Sequence, residues 1–175
     1  KQMKAQVLQM RRVNPSAPRP YDSVAVPSVA VKSKKRGVAW KAYDGNFPWL
    51  PQTGQLEVAA QGNTKQPFFK GINAEKHDLF VFEGHLEIPE DGEYTFYINS
   101  NSNHFLKLHE INLFDGDYHF KNGESQEAKI LLKKGLHPYK LHYKKRNDIK
   151  PELQLEWKKP GGFKKVISNK YFFRS

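Results

Sequence analysis

The stretch Phe80-Val81-Phe82-Glu83-Gly84-His85-Leu86-Glu87-Ile88-Pro89-Glu90-Asp91-Gly92-Glu93-Tyr94-Thr95-Phe96-Tyr97-Ile98 reads as two strands joined by a tight turn. Phe80, Phe82, Leu86 and Ile88 alternate with Glu83, His85 and Glu87, so one face is apolar and the other wet. Successive side chains of a strand point to opposite faces, and this period of two is the mark of a half-buried sheet. Pro89-Glu90-Asp91-Gly92 supplies the residue types that turn geometry demands, and Tyr94, Phe96 and Ile98 resume the alternation.

The same rhythm runs outward from there. Leu106 and Leu108, then Ile130 and Leu132, form short apolar rows, and Lys133-Lys134-Gly135 makes the next turn. Tyr139, Leu141 and Tyr143 share a face, and Leu153, Leu155 and Trp157 alternate with Gln154 and Glu156. Many short period-two runs separated by turns predict an all-β chain, an antiparallel sandwich of jelly-roll type with one buried face per sheet. Aromatic content of 13% suits such sheets.

Before Gly37 the pattern changes. Met3, Val7 and Met10 fall at helical spacing, which predicts a short helix ending at Asn14-Pro15. Residues from Asn14 to Arg36 are rich in Pro, Ser, Val and Ala, and Pro15, Pro18, Pro20 and Pro27 favour extended chain. The expected organisation is a helical remnant and basic linker over residues 1–36, then a β-sandwich domain over 37–175. Lacking a start and a signal core, the chain reads as a fragment or mature form of a larger protein.

With no cysteine, disulfides, thiol chemistry and thiolate zinc sites are excluded. No apolar run approaches the length of about 18 residues that a membrane helix needs. The net charge of +11 points to anionic partners or to a lysine-rich solubilising surface. Lysine far outnumbers arginine, the planar reader of phosphates and bases, and the aromatics are committed to strand interiors, so nucleic acid is not expected. Gly-x-Ser-x-Gly, His-Glu-x-x-His and phosphate-loop patterns are all missing, and no intrinsic active site is expected.

The segment Phe82 to Phe96, together with Leu132-Lys133-Lys134-Gly135-Leu136-His137-Pro138 and Leu153-Gln154-Leu155-Glu156-Trp157 before Pro160-Gly161, resembles the lectin-like domain family first named from anthrax protective antigen. Gly37 to Tyr43 and Trp49-Leu50-Pro51 look like the opening of such modules attached to bacterial sulfatases and glycoside hydrolases. The resemblance covers about residues 37–174. It implies a non-catalytic glycan-binding module, at the C-terminal end of an exported enzyme, extracytoplasmic, with that enzyme's catalytic domain as partner. The basic surface would suit a sulfated or uronate-bearing polysaccharide. In sugar-binding members of the family an aspartate pair grips a calcium ion that holds the sugar. Here those positions are Asn101 and Ser102, followed by Asn103, and a later Asp-Gly turn appears as His109-Glu110. An amide carbonyl and a hydroxyl bring oxygen without charge, so calcium is not expected as a cofactor. The site then works without metal or has decayed, which leaves open a structural or protein-interaction sandwich.

The candidate sugar contacts are therefore Trp49, Asn101, Ser102, Asn103, His109, Asp115 and Asp117, with no metal ligands. Asn and Ser favour turns for backbone reasons alone, and Asp115-Gly116-Asp117 beside His119 reads as a turn ahead of a cation site. His104 and His109, like His137 and His142, are five apart and point to opposite faces of a strand. His137 matches the family's Gly-x-His position and reads as structural. Of the three tryptophans, Trp157 is in phase with the core and Trp49, after Pro48, is the best placed to stack on a ring.

Overall fold

The computed structural model describes residues 23–65, 68–70, 72–117, 121–146 and 149–175. The helix expected near the N-terminus lies outside these residues, as does His119. The described chain forms two antiparallel sheets. One contains, in spatial order, β1 (Lys35–Arg36), β12 (Phe172–Arg174), β4 (Leu79–Ile88), β9 (Gly135–Lys144), β6 (Asn103–Leu108) and β7 (Ile111–Asp115). β2 (Val38–Tyr43) also pairs with β4, and β3 (Ala60–Thr64) pairs with β2. The other sheet runs β11 (Lys164–Val166), β10 (Leu153–Lys158), β5 (Gly92–Ser100) and β8 (Gln126–Leu132).

The alternating rows meet between the sheets. Phe80, Phe82, Leu86, Ile88, Tyr94, Phe96, Ile98, Leu141, Tyr143, Leu155 and Trp157 belong to one buried cluster. The sandwich expected from the period of two is the fold found. Gly84 interrupts the dry row of β4, because a Cβ there would lie 2.3 Å from the Phe173 carbonyl oxygen. Its missing side chain lets β12 dock.

One buried face per sheet holds only in part. Leu79, Phe80, Val81 and Phe82 are consecutive and all buried, so this end of β4 is dry on both faces. Phe47, Leu50 and Leu56, from the loop between β2 and β3, fold over the outer face and pack against Tyr43, Leu79 and Val81. Four apolar residues in a row demand such a cover, since a sheet face left open would keep Val81 in water.

The proline-rich arm also has a place. Val26 donates its N–H to the Leu131 carbonyl at 2.8 Å and accepts from the Lys133 N–H at 2.9 Å, and the Val29 N–H reaches the Leu136 carbonyl at 2.9 Å. The Val26 bonds cover the end of the open edge of β8, a row of backbone groups that would otherwise invite other strands, and the Val29 bond ties the arm to the start of β9. Gly135, at φ +130°, permits the approach: a Cβ there would meet the Ser28 side chain at 2.5 Å. At the same end Asp91 accepts the Lys134 N–H at 2.6 Å and the Lys133 ammonium at 3.2 Å. These two bonds, the backbone one foremost, hold its carboxyl below the ordinary range.

On the outer face of the larger sheet, His142 sits across from Val81 and Phe105. Its Nδ1 is buried without a partner among the described residues. Burial first, then Lys140 and Lys107, push its pKa from 6.5 down to about 4. The unfolded chain takes this proton near 6.5 and the folded chain only near 4, so stability is whole above 6.5 and is lost as pH falls through that window. His142→Leu is expected to flatten this loss by up to about 3 kcal/mol. Urea midpoints of both proteins at about pH 7.5 and about pH 4.5 check it, with equal slopes as the contrary result.

Candidate functional site

β5 ends at Ser100 and β6 begins at Asn103, and the short connection between them is tied into the sandwich. Ser100 Oγ donates to the Ser102 carbonyl at 2.8 Å and accepts the Ser102 N–H at 3.3 Å. The Asn101 side chain is engaged at both its oxygen and its nitrogen. Its Oδ1 accepts the Tyr143 hydroxyl at 2.5 Å and the Glu152 N–H at 3.0 Å, and its Nδ2 donates to the Lys150 carbonyl at 2.8 Å. Burial keeps the Tyr143 phenol well above its ordinary pKa, so it remains a donor. Ser102 is wholly buried and its hydroxyl donates to the Lys144 carbonyl.

Asn103 faces the other way. Its amide donates to the Asp117 carbonyl at 3.0 Å and to Asp117 Oδ1 at 3.2 Å. Asp117 Oδ2 accepts the Leu50 N–H at 3.0 Å, and the Asp117 N–H reaches Asp115 Oδ1 at 3.2 Å. One carboxylate thus clamps β6, the segment after β7 and the β2–β3 loop. Trp49 precedes Leu50 and is 67% exposed, whereas Trp157 is 2% exposed.

The structure therefore brings Trp49, Asn101, Ser102, Asn103, Asp115 and Asp117 to one end of the sandwich. It does not bring His109 there. His109 lies in the β6–β7 turn at the opposite end, with φ +54°, and its Nε2 lies 2.7 Å from His137 Nδ1. His137 is fully buried, and its Nε2 donates to the Lys133 carbonyl at 2.7 Å, which leaves Nδ1 to accept from His109. Burial lowers both pKa values and keeps both rings neutral at pH 7. The pair joins residues 28 apart in the chain, which spacing along a single strand could not reveal.

A cleft of about 680 Å³ opens beside the Asn101 junction, where β5 ends and β10 begins. Such a volume is ordinary for a small-molecule site. Phe69, Leu153, Leu155 and Ile167 give it apolar walls, and Lys70, Glu124 and Glu152 bring charge. Its distinguishing groups are three amides, Asn99, Asn122 and Gln154. Asn99 and Gln154 stand directly opposite each other on adjacent strands. None of the three side chains has a hydrogen-bond partner among the described residues. An amide offers two donors and a carbonyl acceptor, the equipment for reading hydroxyl groups. Cross-strand register sets Gln154 beside Asn99, and the turn before β8 brings Asn122 to the same cleft, neither of which a short stretch of sequence shows.

These residues do not fit calcium. Asn101 has no oxygen to spare, Ser102 is sealed from solvent, and no group of three or more His, Asp or Glu is placed to hold a metal among the described residues.

A sequence model of the PA14 domain matches residues 34–171. The chain belongs to the PA14 domain family. No curated protein matches it. Among solved structures, the PA14 domain is similar to an anti-sigma factor domain-containing protein from Clostridium clariflavum, with TM-score 0.62, 19% identity, and coverage of 91% of this chain and 53% of the other. It thus spans about half of that relative. A PA14 sugar-binding domain from an RTX adhesin is similar at TM-score 0.59 and 14% identity, covering 80% of this chain and 99% of that one. A β-glucosidase from Kluyveromyces marxianus is similar at TM-score 0.54 and 14% identity over 76% of this chain and 17% of the enzyme. At these identities the likeness shows the fold.

Proposed function

We propose that this PA14 domain is a non-catalytic carbohydrate-binding module whose cleft receives sugar hydroxyls without calcium. The observation that carries the proposal is the set of three amides without a hydrogen-bond partner among the described residues, Asn99, Asn122 and Gln154, lining one cleft with apolar groups. Amide and apolar groups lining one cleft suit a sugar ring, which is polar at its rim and apolar on its face. Asn101 and Ser102 act as braces for that cleft rather than as contacts. Trp49, exposed at the same end beside the Asn103–Asp117 clamp, supplies a stacking surface for a longer chain, and Asp115 a rim acceptor. The adhesin relative is described as sugar-binding, which supports the reading.

The net charge of +11 favours a sulfated or uronate-bearing polysaccharide, bound more tightly at low salt. The module is proposed to be the C-terminal part, residues 37–175, of an exported, extracytoplasmic sulfatase or glycoside hydrolase, with residues 1–36 as the connection to its catalytic domain. Support comes from the β-glucosidase, in which the similar part is 17% of the enzyme. No helix among the described residues is long and apolar enough to cross a membrane.

Glycan-array screening at low and high salt, with calcium and with chelator, provides the test. Binding is expected at low salt and indifferent to chelator, and Asn99→Ala with Gln154→Ala is expected to weaken it about tenfold or more while the melting temperature holds. Absence of binding to any glycan at low salt would leave a structural or protein-interaction sandwich in its place.

A further inference from the structure

The hairpin between β10 and β11 reads Lys158-Lys159-Pro160-Gly161-Gly162-Phe163-Lys164-Lys165 and contains four lysines and no acid. Phe163 is 84% exposed, the most exposed large hydrophobic residue among those described, and Val166, at the foot of the hairpin, is 50% exposed. The loop is built rather than loose. Lys158 pairs with Lys164 across the strands, Gly162 N–H bonds the Lys159 carbonyl at 2.9 Å, and Gly161 turns the chain at φ +66°. Pro160 rests on Gly92, where a Cβ would meet it at 2.5 Å. Lys164 is occupied, at 3.3 Å from Glu156 and 4.3 Å from the centre of the Tyr97 ring. Lys158, Lys159 and Lys165 have no acidic partner among the described residues, although Glu93 and Glu127 line the shallow groove beside Lys158 and Lys159.

We infer that this hairpin docks the domain on the anionic surface of a lipid bilayer, with Phe163 entering the headgroup region and Lys158, Lys159 and Lys165 beside the lipid charges. A phenyl ring held in water at a loop tip costs free energy that the interfacial region of a bilayer removes, and clustered lysines are drawn to anionic lipid. The shape decides for a bilayer over an acidic polysaccharide. Phe163 lines neither the amide cleft nor the groove on the sheet face, so it has no flat platform on which a sugar ring would stack. A lone projecting ring with lysines on both strands below it suits insertion into a fluid surface. β10 runs from the amide cleft at Leu153 to the hairpin at Lys158, about 17 Å at strand rise. Docked by this tip, the domain turns its cleft away from the membrane. The inference does not depend on what the cleft binds.

The experiment is co-sedimentation of the full chain with vesicles of phosphatidylcholine alone or with about 30 mol% phosphatidylglycerol, at low and high salt. Partition is expected to rise steeply with phosphatidylglycerol and to fall with salt. Neutralising Lys158, Lys159 and Lys165 together to Gln is expected to reduce it about a hundredfold, some fivefold per lysine. Phe163→Ser is expected to reduce it about tenfold while the melting temperature stays put, since the ring touches little. Equal partition to both vesicle types overturns the inference. So does a Phe163→Ser protein that partitions like the parent while the lysine variant fails, and that competes equally for soluble dextran sulfate: the hairpin would then be a general anion patch for polysaccharide.

Discussion

Asn101→Asp combined with Ser102→Asp, which reinstates the family's aspartate pair, is expected to cost about 4 kcal/mol or more of folding free energy, and millimolar calcium is not expected to restore it. Ser102 is completely buried, with its hydroxyl donating to the Lys144 carbonyl. A carboxylate there would be desolvated and set against a carbonyl oxygen, acceptor against acceptor. Asn101 fails for a related reason. Its Nδ2 donates to the Lys150 carbonyl at 2.8 Å, and an aspartate oxygen in that place repels what the amide bound. Ser102→Ala separates the terms, since it loses only one hydrogen bond and should cost about 1 kcal/mol. Urea unfolding followed by tryptophan fluorescence, with and without calcium, measures all three proteins. A double variant that calcium raises to the parent's midpoint would show that a metal site lies latent at these positions and would remove the metal-free reading.

Trp157→Ala is the second large loss, about 3–5 kcal/mol. The indole is 2% exposed and stands between Tyr94 at 5.6 Å, Phe96 at 6.2 Å and Tyr171 at 4.8 Å between ring centres. No neighbour is placed to fill the hole. Tyr94 is itself fixed by its hydroxyl donating to the Glu90 carbonyl at 2.8 Å, and its phenol is pushed up to about 12, chiefly by burial. Trp157→Phe retains most of the contact and should cost no more than about 2 kcal/mol. Because Trp157 pairs with Lys165, the alanine protein is also expected to loosen β11 and the lysine hairpin. Hydrogen exchange at β10 and β11 reads this directly, and protection unchanged from the parent would place the load of the core elsewhere.

Of the candidate site, the sequence showed where in the fold its residues lie but not what they touch. Asn101, Ser102 and Asn103 do lie at one end of the sandwich, since the polar run between two alternating rows had to be a connection at the rim. Their roles were hidden because hydrogen-bond partners come from residues far along the chain: Tyr143 and Glu152 for Asn101, Lys144 for Ser102, Asp117 for Asn103. A side chain that suits a sugar hydroxyl equally suits a backbone carbonyl, and only proximity chooses between them. His109 was set among the sugar contacts by its place in a motif, yet β6 carries it to the far end beside His137.

By itself the sequence determined the period of two, hence the strands, the turns at Pro89–Gly92 and Lys133–Gly135, and which face of each strand is dry. Those are local properties, set by backbone geometry and the free energy of placing each side chain in water. Tertiary structure alone decided that the β2–β3 loop covers Val81, that Val26 seals the edge of β8, and that Asn99 meets Gln154 across 55 residues of chain. Register between distant strands follows from the summed packing of the whole core, a quantity no short window of residues contains.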